Sequence, residues 1–156
     1  MFEGVIIMSY DELKRNTISE FKYLHKEVND LLEIKEEEYN EKVDYCYYKN
    51  PFGNVKSKVE PELIVFTKSK HIVQAKPVYS DDNVPYKIDI SIFKIQFIDR
   101  INYITSRYDR DIEAGLEIIF KNSSIIKLDS TDVNYDWQRD ASDYIRDIAR
   151  YLLQEE

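Results

Sequence analysis

The chain has 156 residues, of which 43% are hydrophobic and 33% are charged, and its formal net charge at pH 7 is −8. A chain of this length and composition predicts one folded domain whose core needs no disulfide or metal ion, and it excludes an intrinsically disordered protein. The negative charge disfavours nucleic acid and anionic membranes as partners, and the single cysteine, Cys46, excludes an intramolecular disulfide and favours a reducing, cytoplasmic compartment.

Residues 10–39 predict a helix. Ser9 with Glu12, and Thr17 with Glu20, have the spacing of capping boxes. Apolar residues then recur every three or four positions, as in a helix with one buried face: Ile18, Phe21, Leu24, Val28, Leu31 and Leu32. We expect residues 1–40 to form an N-terminal helical extension whose apolar face packs on the sheet, on the C-terminal helix or on a partner. Residues 35–41 are nearly all charged, which indicates a solvated helix end or a linker.

Residues 43–128 predict about six or seven antiparallel strands. The alternating or β-rich segments lie at residues 43–47, 63–67, 71–78, 87–92, 103–108, 115–121 and 126–128. Lys68-Ser69-Lys70 has the composition of a hairpin tip between the strands at 63–67 and 71–78. Asn122-Ser123-Ser124 has the composition of a turn between the strands at 115–121 and 126–128. The spacing of Ile98, Ile101 and Ile104 predicts a turn before the strand at 103–108, and residues 109–111 predict a charged loop.

Residues 136–154 predict an amphipathic C-terminal helix. Its apolar positions share one face: Trp137, Ala141, Tyr144, Ile145, Ile148 and Leu152. A sheet with one apolar face must cover that face, so we expect this helix to close the core against strand residues such as Leu116, Ile118 and Phe120. The fold class is therefore α+β, with a bent antiparallel sheet or partly open barrel capped by the C-terminal helix.

The strings FIDRINYITSRY, GLEIIFKNSSIIKLDS and LIVFTKSKHIV resemble bacterial PH-like (pleckstrin-homology-like) domains. In this superfamily a bent antiparallel sheet forms a partly open barrel, and a C-terminal helix plugs one end. The resemblance covers residues 43–154, within a domain expected at 41–156 that forms one compact unit with the extension. It implies that Trp137 lies on the plug. The whole chain is also similar to small families of Bacillus-type bacteria and their phages.

The sequence offers no catalytic centre, cofactor motif or metal site. His25 and His71 stand alone, whereas a zinc site needs several ligands at set spacing. Cys46 lacks a family signature for a nucleophile and predicts a small buried residue. Asp109, Asp111 and Glu113 begin like a calcium loop, but Ala114 and Phe120 occupy the positions that need glycine and glutamate. Glu33-Ile34-Lys35 matches a nuclease fragment only by chance.

A lysine-rich segment at residues 49–76 is the most distinctive feature. It holds six lysines against two glutamates, in a chain that is acidic overall. In PH-like domains, early-hairpin basic residues contact anionic head groups or peptides, and the candidate binding residues carried over here are Lys56, Lys58, Lys68, Lys70 and His71. A solvated edge and a protein interface are the other interpretations of these lysines.

Tyrosines are typical of interface cores, and several predict partial exposure: Tyr10, Tyr23, Tyr39, Tyr45, Tyr47, Tyr48 and Tyr151. We expect a non-enzymatic binding or protein-interaction module, whose partner is another protein or a second copy engaged through the N-terminal helix. A small enzyme with a carboxylate site is one alternative. An anionic-ligand binder, for lipid or nucleic acid, that uses residues 49–76 is another.

Overall fold

The computed structural model describes residues 19–50, 60–79, 85–108, 111–132 and 138–154. The strands are β1 (Val43–Lys49), β2 (Glu62–Thr67), β3 (His71–Tyr79), β4 (Pro85–Lys94), β5 (Ile98–Tyr108), β6 (Asp111–Phe120) and β7 (Ile125–Asp129). The helices are α1 (Ser19–Leu32), the single turn α2 (Tyr39–Lys42) and α3 (Gln138–Gln154). One-turn 3-10 helices lie at Glu36–Glu38, Ile95–Phe97 and Ser130–Asp132. Within the described ranges, no helix has both the length and the apolarity needed to cross a bilayer.

The seven strands form two antiparallel sheets. The first, sheet A, has the order β1-β2-β3-β4, and the second, sheet B, has the order β5-β6-β7. Within each sheet, every strand therefore pairs with a strand that is its neighbour in sequence, as short connections favour. The predicted α+β class is confirmed, with antiparallel strands followed by a C-terminal helix, which is also the layout that the PH-like resemblance implies. The described strands form two open sheets and not one closed barrel.

Sheet A is the middle layer of three. Its inner face, with Ile64, Phe66 and Ile72, packs against sheet B and α3 in one core cluster. Its outer face packs against α1 in a second cluster, where Leu63, Val65 and Val73 meet Phe21, Leu24 and Val28. Strand β2 is consequently buried along both faces. The N-terminal helix thus packs on the sheet, which was one of the three positions expected for it.

The two-sided burial corrects the exposure expected for Tyr47 and Tyr48. Both side chains are buried, because successive residues of a strand point to opposite faces and here each face is covered. Tyr47 lies in the inner cluster and Tyr48 in the α1 cluster. Tyr23 is exposed, Tyr39, Tyr45 and Tyr151 are half-buried, and Tyr10 lies outside the described residues.

Helix α1 ends at Leu32, so the predicted helical segment through residue 39 is wrong at its C-terminal end. Glu33 adopts a left-handed conformation, with φ 55°. The Ile34 amide then donates to the Asn29 carbonyl at 2.8 Å, and the Glu33 amide donates to Asp30 at 3.3 Å. These two bonds form a Schellman motif, which ends a helix. Glycine usually occupies this position. Because Glu33 stands there instead, the sequence did not indicate where α1 ends.

Strand β5 begins at Ile98, where the sequence predicted a turn. Its pairing with β6 shifts register between Ile98 and Arg100, which marks a β-bulge. The bulge adds one residue to the strand, so that Ile98 and Ile101 both pack against the inner core cluster at a spacing of three. The irregular spacing therefore comes from a bulged strand.

Helix α3 packs mainly against β6, with further contacts to β5 and β7. Tyr144 and Ile148 lie in the inner core cluster together with Leu116, Ile118 and Phe120 of β6. Trp137, which the sequence places on the plug, lies outside the described residues.

Candidate functional site

A cleft of about 530 Å³ opens between the β2–β3 turn and the junction of β4 with β5. Its lining residues are Ser69, Lys70, His71, Lys94, Ile95, Gln96 and Ile98. Two lysines and a histidine thus share one concave surface, and none of the lining residues that the structure describes carries a carboxylate. The cleft joins two of the predicted binding residues, Lys70 and His71, to one that the sequence did not indicate, Lys94.

The β2–β3 turn fixes the residues at one wall of the cleft. The Lys70 amide donates to the Thr67 carbonyl at 3.1 Å, and Lys70 itself has φ 67°. The Thr67 hydroxyl accepts the His71 amide at 3.1 Å and lies 2.9 Å from the Ser69 hydroxyl. These local bonds hold a tight turn in which a lysine occupies a left-handed position that normally favours glycine.

Strand pairing brings the opposite wall into place. His71 is the register partner of Lys94 across the β3–β4 pair. The Ile95 amide donates to the Lys70 carbonyl at 3.0 Å, so the 3-10 turn at Ile95–Phe97 is tied directly to the hairpin tip. The backbone positions of Lys70, His71 and Lys94 relative to one another are therefore set by hydrogen bonds of the main chain.

Helix α3 supports the tip from behind. The Lys70 ammonium lies 5.4 Å from the centre of the Tyr151 ring, within the range of a cation–π contact. The Tyr151 hydroxyl in turn donates to the Asp44 carboxylate of β1 at 3.0 Å. The position of Lys70 is thus coupled to the C-terminal helix and to β1.

The other lysines of residues 49–76 do not join the cleft. Lys68 forms a salt bridge of 3.0 Å with Asp44. Lys49 and Lys76 both approach Glu62, at 3.1 and 3.6 Å, and Gln74 donates to the same carboxylate. Lys56 and Lys58 lie outside the described residues. Within the described part of the segment, Lys49, Lys68 and Lys76 form ion pairs. Lys70 and His71 line the cleft.

A second hollow, which we call the apolar groove, lies on the other side of Lys94. It has a volume of about 320 Å³ and is lined by Ile92, Phe93, Lys94, Phe97, Phe120, Lys121 and Asn122. The Phe93 and Phe120 rings stack at its base, with centres 4.3 Å apart. The Lys121 amide donates to the Phe97 carbonyl at 2.9 Å. Two lysines therefore border a surface that is otherwise mostly aromatic and aliphatic.

A cysteine and a histidine meet inside the protein, between β1 and α1. The Cys46 sulfur lies 3.8 Å from His25 Nε2, which also lies 2.9 Å from the Tyr48 hydroxyl. Burial raises the pKa of the Cys46 thiol to about 11 and lowers the pKa of His25 to about 4. Both shifts favour the neutral pair, whereas a catalytic cysteine needs a thiolate. The contact is consistent with packing and not with a nucleophile.

Ser69 and His71 also lie within hydrogen-bond distance, since Ser69 Oγ is 3.1 Å from His71 Nδ1. A serine nucleophile needs a base that is itself oriented by a third group, usually a carboxylate. Among the residues described at the cleft, none supplies a carboxylate for that role. The pair is better suited to donating hydrogen bonds to an anion than to acyl transfer.

One buried carboxylate has a displaced pKa. Burial raises the pKa of Asp132, although nearby Lys49 opposes the shift. Its Oδ2 accepts the Tyr47 hydroxyl at 2.8 Å and the Asp129 amide at 2.9 Å. These bonds hold the turn after β7 against β1, which is a structural role. Within the described ranges, no three metal-ligating side chains converge.

Lys94, Gln96 and Phe97 are the site residues that the sequence did not indicate. Lys94 is the last residue of β4, and Gln96 and Phe97 lie in the 3-10 turn that follows it. The β3–β4 register and the bond from the Ile95 amide to the Lys70 carbonyl bring them to the hairpin tip. The His71–Lys94 pairing could be found only by aligning two strands across the connection at residues 80–84.

Comparison with protein-family models finds no match, and neither does comparison with curated proteins. One solved structure is similar, a pleckstrin homology domain from Shewanella amazonensis SB2B. The identity is 17%, the similarity covers 83% of this chain and 98% of that chain, and the TM-score is 0.49.

Proposed function

We propose that the chain is a non-enzymatic binding module that takes an anionic group in the cleft beside the β2–β3 turn. The observation that supports this most is the convergence of Lys70, His71 and Lys94 on one concave surface whose described residues include no carboxylate. In a chain with a net charge of −8, such a local excess of cationic groups is the opposite of the average surface. Ser69 and Gln96 add neutral hydrogen-bond donors to the same cleft.

The conformation of Lys70 offers a clean way to remove its charge. A non-glycine residue in the left-handed region costs on the order of 1 kcal/mol relative to glycine. Lys70 occupies that region, with φ 67°, at a hairpin position where glycine would be unstrained. A change of Lys70 to glycine therefore removes the ammonium group without straining the backbone.

The cleft also favours binding over the carboxylate-based enzyme that the sequence left open. Such an enzyme needs at least two acidic groups with displaced pKa values in a common pocket. Asp132 has the required displacement, but it is engaged by Tyr47 and does not line the cleft. The cationic lining suits an anion and supplies no general base of that kind.

An NMR titration of the full chain with inorganic phosphate, at low ionic strength, tests the proposal. We expect saturable shifts in the amides of Ser69, Lys70 and Gln96. Lys94→Gln removes one charge-assisted hydrogen bond, worth roughly 1.5–3 kcal/mol, and should weaken binding about tenfold or more. Added salt should weaken it further, because the interaction is ionic.

Two variants keep the test independent of folding. Lys70→Gly removes the charge and relieves the left-handed backbone, so we expect a protein of equal or greater stability that binds phosphate more weakly. Lys26→Gln makes the same charge change on exposed α1 and should leave binding unchanged. The proposal would be contradicted if Lys94→Gln and Lys70→Gly both kept the amide shifts that phosphate causes in the parent protein. Shifts scattered over the whole surface would contradict it as well.

Self-association through the N-terminal helix is a second candidate. Most of the apolar face of α1 is buried on sheet A, but Tyr23 and Leu31 remain 56% and 53% exposed. They lie about two turns apart on the solvent side of the helix. Light scattering coupled to size-exclusion chromatography should show a larger species that Tyr23→Ser with Leu31→Ser dissociates, and a monomeric parent protein would contradict this candidate.

We also place the protein in the cytoplasm. Cys46 is a free, buried thiol, a state that suits a reducing compartment. Localisation of a fluorescent fusion in the host cell would test this, and an extracytoplasmic signal would contradict it.

A further inference from the structure

We propose that the cleft and the apolar groove together form one site for an anionic amphiphile. The negative group lies in the cleft, and an alkyl or aryl part lies along the groove. The inference rests on the proposed function of the cleft and adds the chemical class of the ligand.

Lys94 is the residue that joins the two hollows. Lys94 lines both of them, and its ammonium lies 5.8 Å from the centre of the Phe97 ring. A ligand whose anionic group meets Lys94 from the cleft therefore has an aromatic surface directly beside that group. The groove and the cleft share an element as well, since Phe97 ends the 3-10 turn that begins with Ile95.

The groove itself is built to accept apolar atoms. Its base is the Phe93–Phe120 stack, and Phe120 belongs to the inner core cluster. Ile92 and Phe97 at its sides are each 47% exposed, an unusual exposure for large apolar residues that are neighbours in one hollow. Covering these surfaces removes apolar area from water, which stabilises a complex by roughly 25 cal/mol per Å².

Charge and size favour a small amphiphile over a peptide or a nucleic acid. The groove carries Lys94 and Lys121, and its lining has no acidic residue in the described part of the chain, so an apolar group attached to an anion is complementary to it. The two hollows, of about 530 and 320 Å³, each fall in the range typical of small-molecule sites. An aliphatic side chain such as Ile92 favours an alkyl chain, whereas stacking sites for bases rely on aromatic rings.

The test compares inorganic phosphate with octyl phosphate, kept below its micelle concentration, in NMR titrations of the full chain. We expect octyl phosphate to bind at least tenfold more tightly and to shift the amides of Phe93, Phe97 and Lys121 in addition to those of the cleft. Phe97→Ser should abolish the gain of octyl phosphate over inorganic phosphate. Leu31→Ser, at a similarly exposed position on α1, should leave both ligands unaffected.

The outcomes separate this inference from the proposed function. Equal binding of phosphate and octyl phosphate would overturn the amphiphile site and leave the anion cleft intact. Absence of binding for both ligands would remove the cleft and the groove together. Retention on phosphatidic acid vesicles, without any gain for octyl phosphate in solution, would assign the surface to a membrane and overturn the inference.

Discussion

The hydroxyl of Tyr144, on the C-terminal helix, bonds to both backbone groups of Cys46 on β1. It accepts the Cys46 amide at 2.8 Å and donates to the Cys46 carbonyl at 2.9 Å. Among the described strands, β1 lies at the edge of sheet A and pairs with β2, and an unpaired strand edge invites pairing with other chains. Tyr144 occupies this edge at one residue and joins the helix to the sheet.

Replacing Tyr144 by phenylalanine should leave both Cys46 backbone groups without this partner in a buried site. We expect the free energy of unfolding to fall by about 1–3 kcal/mol, as measured by urea unfolding. Tyr103→Phe, on an exposed side chain, is the matched control and should change stability by less than about 0.5 kcal/mol. Equal stability of the two variants would show that the Tyr144 hydroxyl is not needed at the strand edge.

Acid should weaken the packing of α1 on sheet A through His25. Burial lowers the pKa of His25 in the folded protein to about 4, from an ordinary value of 6.5. The unfolded chain therefore binds a proton that the folded chain does not, and stability falls as pH drops through that window. Between pH 7.5 and 5 the loss should be about 2 kcal/mol. Urea unfolding across this range should show a flatter profile for His25→Gln; parallel profiles would contradict the assignment.

Truncations on both faces of β2 should be equally destabilising. Leu63 faces α1, and Ile64 faces sheet B and α3. Each change to alanine should cost about 2–5 kcal/mol, the usual range for a fully buried aliphatic side chain. Ile104, which is 60% exposed, provides the control, and Ile104→Ala should cost little. A negligible effect of Leu63→Ala would mean that α1 does not cover the outer face.

Cys46 should resist thiol reagents in the folded protein. Its pKa of about 11 leaves very little thiolate at pH 8, and the side chain is buried. Labelling with a disulfide reagent should be at least about a hundredfold slower than in urea-unfolded protein. Fast labelling of the native chain would instead indicate that the neighbouring His25 activates the thiol.

The sequence predicts the elements whose pattern is local. The β2–β3 hairpin shows β-rich apolar segments and the β6–β7 hairpin shows alternating apolar residues, each around a short polar turn, and both hairpins are observed at those positions. The amphipathic period of α3 is equally clear, because one face of that helix meets the core while the other meets solvent. These features depend on neighbours within a few residues, which a single sequence contains.

Features that depend on distant contacts were not predictable in the same way. The burial of both Tyr47 and Tyr48 requires a helix on each side of β1, and a strand sequence alone does not say how many layers will cover it. The end of α1 depends on Glu33 adopting a conformation that is usual for glycine. The cleft depends on Lys94 standing opposite His71, which is a property of strand register and not of spacing along the chain.

The position of sheet A between two covering layers has a consequence for where the chain can be shortened. A fragment that starts at β1 would keep every described strand and the C-terminal helix, yet Val65, Val73 and Ala75 would lose the helix that shields them. Their side chains would form a continuous, exposed apolar surface on the remaining sheets and helix. Helix α1 therefore covers apolar surface that would otherwise lead copies of the shortened chain to aggregate.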